Sequence, residues 1–262
     1  MAIGTFEFFS DCLKRNTMFR IILPNEADVA KEEAPSMKTL VLLHGYCGCS
    51  GDWLWNSPIV DMAQKYHMCV LLPTGENSFY LDGKATGRKY ASHVGQELVR
   101  YARKTFGLSG RREDTFVGGF SMGGYGAIHT ALQFPETFSG AMALSSAMIW
   151  KSIGKMKPGE DNGIANYEYY RLMFGESGSS EESNANIEQL VLSIENRKIP
   201  MPRLYLACGE QDFLKGANRD FVEFLKGHEV DFCYHEGEGE HNFVYWNRHL
   251  EPGIRWLLKA SV

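Results

Sequence analysis

No run of apolar residues in this 262-residue chain approaches the roughly 20 needed to cross a bilayer. Basic residues never gather: they come at most in adjacent pairs, such as Lys14-Arg15, Arg103-Lys104 and Arg111-Arg112, and the net charge is −5. Such a surface offers no footprint for nucleic acid or for an anionic membrane. Met1–Ser10 has neither a basic start nor a continuous apolar stretch, so it reads as a strand and not as a secretory signal. The six cysteines (Cys12, Cys47, Cys49, Cys69, Cys208, Cys233) lack the spacing of a disulfide framework or a zinc site. Several fall inside apolar runs, where a thiol acts as a small hydrophobe. Together these absences predict a reduced, cytoplasmic protein. Cys47 and Cys49 stand apart, because their loop falls beside the site assigned below; accessible thiols there would make the protein thiol-sensitive.

What is present is ordinary in amount, with 44% hydrophobic and 23% charged residues, and informative in pattern. Two strand-forming segments open the chain, Thr5–Leu13 and Thr17–Leu23, the second stopped by Pro24-Asn25. They predict an antiparallel pair. After the polar stretch Glu26–Lys38 come short apolar runs at Thr39–Leu43, Met68–Leu72, Asp114–Gly118, Gly140–Leu144, Arg203–Ala207 and Val230–His235. Near-continuous apolar strands are buried on both faces, as in a parallel sheet covered by helices. Between them Val94, Leu98, Ala102 and Phe106 recur every fourth residue. Ile187, Leu190, Val191 and Ile194, and then Ala217, Phe221, Phe224 and Leu225, keep helical phase. The reading is one α/β domain over residues 1–262, doubly wound, mostly parallel, with antiparallel N-terminal strands. Residues 146–186 break the rhythm. They carry Trp150, Tyr167, Tyr169, Tyr170 and Phe174 and a Gly/Ser-rich run at Gly175–Ser180. This insertion is either a cap that walls the site or a solvated excursion with satellite aromatics.

The sharpest motif is Gly119-Phe120-Ser121-Met122-Gly123, a G-x-S-x-G between an apolar strand and the small-residue helical run Gly124–Leu132. A serine on such a strand-to-helix turn projects its hydroxyl out of the fold, and the small neighbours let two backbones approach. The Met122 N–H then lies at a helix N-terminus, where it can face a developing oxyanion. Serine needs a base to take its proton and an acid to orient that base, in the chain order Ser, acid, His. Asp212, in the loop after Arg203–Ala207, fits the acid; Glu210 is its rival, while Asp220 and Asp231 sit within elements. Of eight histidines, His44, His67, His93 and His129 have the wrong order or place. His228 and His249 belong to helical stretches, and His235 closes a strand. His241, between the last strand and the last helix, fits the base. The run Leu42-Leu43-His44-Gly45-Tyr46 leads from a buried strand into a loop whose Tyr46 N–H can supply the second oxyanion donor, with Gly45 permitting the turn and His44 anchoring the loop. His235-Glu236 with Glu240-His241 mimics a metal motif, but H-E-x-x-H would need histidine where Gly239 stands.

These residues resemble the esterase D family, closest to its bacterial tributyrin esterase (acetyl esterase) branch, with S-formylglutathione hydrolases and feruloyl esterases as relatives. The resemblance rests on His44-Gly45, Gly119–Ala127, Cys208-Gly209-Glu210-Gln211-Asp212-Phe213-Leu214 and Tyr245-Trp246. Phe8-Phe9-Ser10 through Leu23-Pro24 and Phe79-Tyr80 extend it over nearly the whole chain. It implies an α/β-hydrolase fold and a cofactor-independent carboxylesterase for short acyl esters, of acetyl or butyryl type, with carbohydrate acetates among them. The nucleophile is Ser121, the acid Asp212, the base His241, and the oxyanion donors are Tyr46 and Met122. S-formylglutathione hydrolysis, feruloyl ester hydrolysis and acyl transfer by the same triad are the alternatives. Gly48, within Cys47-Gly48-Cys49, departs from the formylglutathione branch, which often carries cysteine near there. Aromatic character and the resemblance suggest Phe79, Tyr80, Trp150 and Trp246 as pocket walls. The partner is a small-molecule ester, and relatives often form homo-oligomers.

Overall fold

Strands β1 (Ala2–Ser10), β2 (Arg15–Leu23), β3 (Lys38–Leu43), β4 (Met68–Pro73), β5 (Thr115–Phe120), β6 (Gly140–Leu144), β7 (Arg203–Gly209) and β8 (Phe232–Gly237) join into one sheet. This computed structural model describes residues 1–25, 37–175 and 185–258. Of the polar stretch read at Glu26–Lys38, only Met37 and Lys38 lie among the described residues, and of Gly175–Ser180 only Gly175. The sheet order is β1-β2-β4-β3-β5-β6-β7-β8. β1 pairs antiparallel with β2, and β2 antiparallel with β4; every pairing from β4 to β8 is parallel.

The apolar runs are buried on both faces because alternate side chains serve different cores. Val41 and Leu43 of β3, with Cys69 and Leu71 of β4, face one core; Leu40, Leu42, Val70 and Leu72 face the other. Helices α1 (Asp52–Asn56), α2 (Ile59–Lys65) and α10 (Phe243–Leu258) supply the second core through Trp53, Ile59, Ala63, Leu250 and Ile254. The first is covered by α3 (Tyr90–Ser92), α4 (Leu98–Phe106), α5 (Met122–Gln133), α8 (Ile187–Arg197) and α9 (Lys215–Leu225). Between α3 and α4 the chain makes a π turn, His93–Glu97.

Most expected strand ends shift, and three of the shifts have an identifiable cause. β1 ends at Ser10 and not at Leu13, because the buried Glu97 carboxylate takes the Asp11 and Cys12 N–H groups at 2.6 and 3.2 Å. Those groups then leave the strand ladder, and Leu13 turns inward. β5 starts at Thr115 and runs on to Phe120, so Ser121 follows the strand directly. Asp114 instead closes a short 3-10 turn, its buried carboxylate holding Lys38 Nζ at 2.5 Å and Arg111 Nε at 2.8 Å. β8 covers Phe232–Gly237, which leaves Asp231 outside it, paired with Arg203 Nε at 2.6 Å.

The insertion between β6 and α8 contributes α6 (Trp150–Ile153) and α7 (Tyr167–Phe174). Trp150, Tyr170 and Phe174 join the first core, so its described part is packed onto the fold. The loops after β3, β4, β5, β6, β7 and β8 share one edge of the sheet, and the candidate site lies there. That edge is where open α/β sheets place ligands.

Candidate active site

Ser121 occupies the bend between β5 and α5 with φ 54° and ψ −121°, a region L residues rarely adopt. Such a conformation costs about 1–3 kcal/mol and persists only where the surroundings fix it. Here its N–H donates to the Leu144 carbonyl at 2.9 Å, and its carbonyl accepts from Ala147 N–H at 3.0 Å and from Gly124 and Tyr125 at the start of α5. The end of β6 and the segment after it thus grip the serine backbone from both sides. The flanking glycines are required by clearance. A Cβ on Gly119 would strike the Gly123 carbonyl, and one on Gly123 would sit 2.5 Å from the His44 carbonyl oxygen and 2.6 Å from that of Leu43.

The structure brings three distant side chains together. His241 Nε2 lies 3.0 Å from Ser121 Oγ, and its Nδ1 lies 2.9 Å from Asp212 Oδ2. Asp212 is buried, with Oδ1 accepting Leu214 N–H at 2.8 Å. Burial pushes its carboxyl pKa upward, but hydrogen bonds from His241, Ser145 and Leu214 N–H outweigh that and hold it below the usual carboxylate range. The imidazole therefore sits between an ionised acid and a hydroxyl, the arrangement in which it can take a proton on Nε2. The rival Glu210 lies nearby with its N–H on Gly237 O at 2.8 Å and its carbonyl on Lys215 Nζ at 2.6 Å.

Tyr46 lies on the loop after β3, and Met122 opens α5 directly after Ser121. Neither backbone N–H has an acceptor within the protein among the described residues. Their loops are firmly held. His44 Nδ1–H donates to Gly45 O at 2.7 Å while its Nε2 accepts Gly75 N–H at 2.9 Å, which defines a neutral tautomer. Burial lowers the His44 pKa and favours that neutral form. Gly45 acts differently from the expected turn: what requires glycine is the Phe120 ring, which a Cβ would strike.

The four aromatics read as pocket walls are nearly buried: Phe79 is 3%, Tyr80 0%, Trp150 2% and Trp246 5% exposed. Phe79 meets Phe174 edge-on at 4.7 Å. The Tyr80 hydroxyl donates to His44 O at 3.1 Å. Trp150 packs near Tyr125 and Phe221. Trp246 stacks on Phe120 at 4.2 Å and presents its face edge-on to His241 at 5.1 Å. The exposed aromatic at the site is one that the sequence reading passed over: Phe213, 67% exposed, with its ring 4.7 Å from that of His241. Ser145 was also missed. It is fully buried at φ 47°, and its hydroxyl accepts Trp246 Nε1–H at 2.9 Å and donates to the Asp212 carboxylate. Position next to Asp212 was the available signal for Phe213; nothing in Leu144-Ser145-Ser146-Ala147 marked Ser145. Cys47 is exposed and Cys49 half-buried, both with free thiols.

The chain matches the esterase family over residues 10–257. It is 40% identical to the acetyl esterase of Caldicellulosiruptor saccharolyticus, over 265 residues and 100% of both chains. Among solved structures it resembles the Staphylococcus aureus fluorophosphonate-binding serine hydrolase F, with TM-score 0.85, 25% identity and 98% of each chain covered. It also resembles the S-formylglutathione hydrolase FrmB of Staphylococcus aureus, with TM-score 0.83, 26% identity and 98% of each chain covered. No helix among the described residues is long and apolar enough to cross a membrane. Matched along nearly its whole length, the chain belongs to the esterase family and is a carboxylic ester hydrolase of α/β-hydrolase fold.

Proposed function

We propose that Ser121, His241 and Asp212 hydrolyse short-chain acyl esters, acetyl esters foremost, through an acyl-enzyme. The observation that carries this is the pair of contacts on the His241 ring, 3.0 Å to Ser121 Oγ and 2.9 Å to Asp212 Oδ2. As Ser121 Oγ bonds to the ester carbonyl carbon, its proton passes to His241 Nε2 and the carbonyl electron pair moves onto oxygen. Asp212 stabilises the imidazolium. The Tyr46 and Met122 N–H groups receive the oxyanion, each contributing on the order of a hundred- to a thousandfold in rate. Collapse breaks the bond to the alcohol oxygen, which leaves with the proton from Nε2. Water then adds to the acyl-serine, giving its proton to His241, and the acid departs as Ser121 Oγ recovers that proton.

The acetyl preference rests on the 40% identity to an acetyl esterase. Within the insertion read at 146–186, the described residues 146–175 and 185–186 serve as the cap of this site, and free thiols suit a cytoplasmic setting. The likeness to the staphylococcal S-formylglutathione hydrolase supports a second substrate, a thioester, for the same triad. Ser121→Ala should fold normally yet lose at least about a thousandfold of p-nitrophenyl acetate turnover, since the nucleophile is indispensable. A fluorophosphonate should label Ser121 alone by peptide mass spectrometry. Labelling at another serine would overturn the assignment. Rates on p-nitrophenyl esters of rising chain length, on acetylated xylo-oligosaccharide and on formylglutathione then rank the substrates.

A further inference from the structure

We propose that Asn77 is a positioning residue that fixes the oxyanion loop and ties it to the cap; this rests on the reading of Tyr46 N–H as an oxyanion donor. Tyr46 lies between two peptide groups, and each is pinned. The Gly45–Tyr46 peptide is held by its carbonyl, which accepts Gly48 N–H at 3.1 Å and His44 Nδ1–H at 2.7 Å. The Tyr46–Cys47 peptide is held by its N–H, which donates to Asn77 Oδ1 at 2.7 Å. The first plane carries the Tyr46 N–H, and the anchor on the second holds the chain that follows, so the first cannot swing with it. Cys47 sits at φ 59°, a conformation that favours glycine, so the loop would relax without its anchor.

Asn77 is itself held in an unusual turn. Its neighbours Glu76, Phe79 and Tyr80 all have positive φ, at 48°, 52° and 53°. Ser78 ties the turn to itself, donating to Gly75 O at 2.6 Å and accepting Tyr80 N–H at 3.1 Å. Three strained residues in five persist only where the surrounding contacts over-determine them. The turn is a rigid post, and the Asn77 amide projects from it onto Cys47.

The cap meets the same post. Tyr169 of α7 donates its hydroxyl to the Asn77 carbonyl at 2.7 Å, and its ring lies edge-on to Tyr46 at 5.6 Å. One cap residue thus touches both the oxyanion loop and the residue that pins it. A cap displaced by substrate or by mutation would change oxyanion stabilisation through Tyr169 and Asn77, without touching Ser121, Asp212 or His241.

The test measures p-nitrophenyl acetate kinetics and trifluoromethyl ketone affinity for Asn77→Ala, Tyr169→Phe and the double variant. The ketone carbon bonds to Ser121 Oγ as the serine proton moves to His241, giving a tetrahedral oxyanion mimic. Loss of the anchor should lower kcat of Asn77→Ala about ten- to a hundredfold, since donor geometry governs that gain. KM and thermal stability should stay near wild type, and ketone affinity should fall with kcat/KM. Tyr169→Phe should lose about three- to tenfold, and in the double variant its effect should nearly vanish, because coupled residues are non-additive. Wild-type kcat in folded Asn77→Ala, beside an inactive Ser121→Ala, overturns this inference alone. Full activity in Ser121→Ala overturns the reading beneath it. Should Asn77→Ala fail to fold, Tyr169→Phe decides: parallel losses of kcat and ketone affinity support the link, and unchanged values overturn it.

Discussion

Among the described residues, two constellations contain a serine, a histidine and a carboxylate, and only one has the hydrogen-bond order that catalysis needs. In Ser121–His241–Asp212 the imidazole stands between the other two, one ring nitrogen facing each. In Ser10–His93–Glu97 the carboxylate stands in the middle. Ser10 Oγ donates directly to Glu97 Oε2, and both Ser10 Oγ and Glu97 Oε2 lie against the same His93 nitrogen, at 3.2 and 2.7 Å. A proton that leaves Ser10 there has no base of its own, because the nitrogen it would need already faces the acid. Ser10 is also wholly buried, whereas Ser121 is partly exposed. The second set stabilises a turn: Glu97 Oε1 receives the Asp11 and Cys12 N–H groups, and Ser10 Oγ accepts Leu13 N–H at 3.0 Å. Residue types alone do not distinguish the two; hydrogen-bond order and access do.

This contrast can be broken from either side. The largest effect belongs to Asp212→Asn, which keeps the shape but removes the charge and the acceptor that fix the His241 tautomer. Turnover should fall on the order of ten-thousandfold with thermal stability little changed, as steady-state kinetics would show. In the other set, Glu97→Ala should leave kcat/KM near wild type. It strands four donors, of which Ser10 Oγ and His93 Nδ1 are buried, so urea titration should find about 2–4 kcal/mol of lost stability. A milder change, Glu97→Gln, isolates the charge. Burial would raise the Glu97 pKa, but hydrogen bonds from His93, Ser10 and Cys12 N–H override it and bring it from 4.5 down to about 2. A depressed carboxyl stabilises the fold above its unfolded pKa and loses that contribution as pH falls toward the folded one. Wild type should therefore lose more stability than Glu97→Gln between about 4.5 and about 2. The smallest effect is Ser145→Ala, which deprives Asp212 of one donor and Trp246 Nε1–H of its acceptor. An orphaned buried N–H costs about 1–3 kcal/mol, and turnover should fall about tenfold as the acid loosens.

The legible parts of the site were those fixed by chain order and loop placement. Ser121, Asp212 and His241 each follow a strand that its apolar run announced, so topology alone sets them on one edge. The sheet itself was readable for the same reason. What stayed hidden depends on partners remote in sequence. β1 stops at Ser10 because of a carboxylate 86 residues away. Asn77 and Ser145 gain their roles from hydrogen bonds to residues remote in sequence and look bland in their own neighbourhoods. The aromatics read as walls show the limit most clearly. Phe79 and Trp246 border the catalytic loops in sequence, yet which side of a loop an aromatic occupies is decided by packing. Phe213, left outside by the same packing, is the ring that solvent reaches.

The π turn at His93–Glu97 has a consequence for how this helical segment can vary. A wider coil holds one more residue than a regular turn, and each residue of an ordinary helix advances the chain by about 100°. Upstream of the extra residue, His93 is phased to meet Ser10; downstream, Leu98 and Ala102 are phased to meet the core. Deleting a single position here would straighten the rod but rotate one half against the other. Either the hairpin would lose its clasp or the sheet would lose its cover. Length in this stretch is therefore as constrained as identity, and a homologue one residue shorter there would have to hold its first hairpin by some other means.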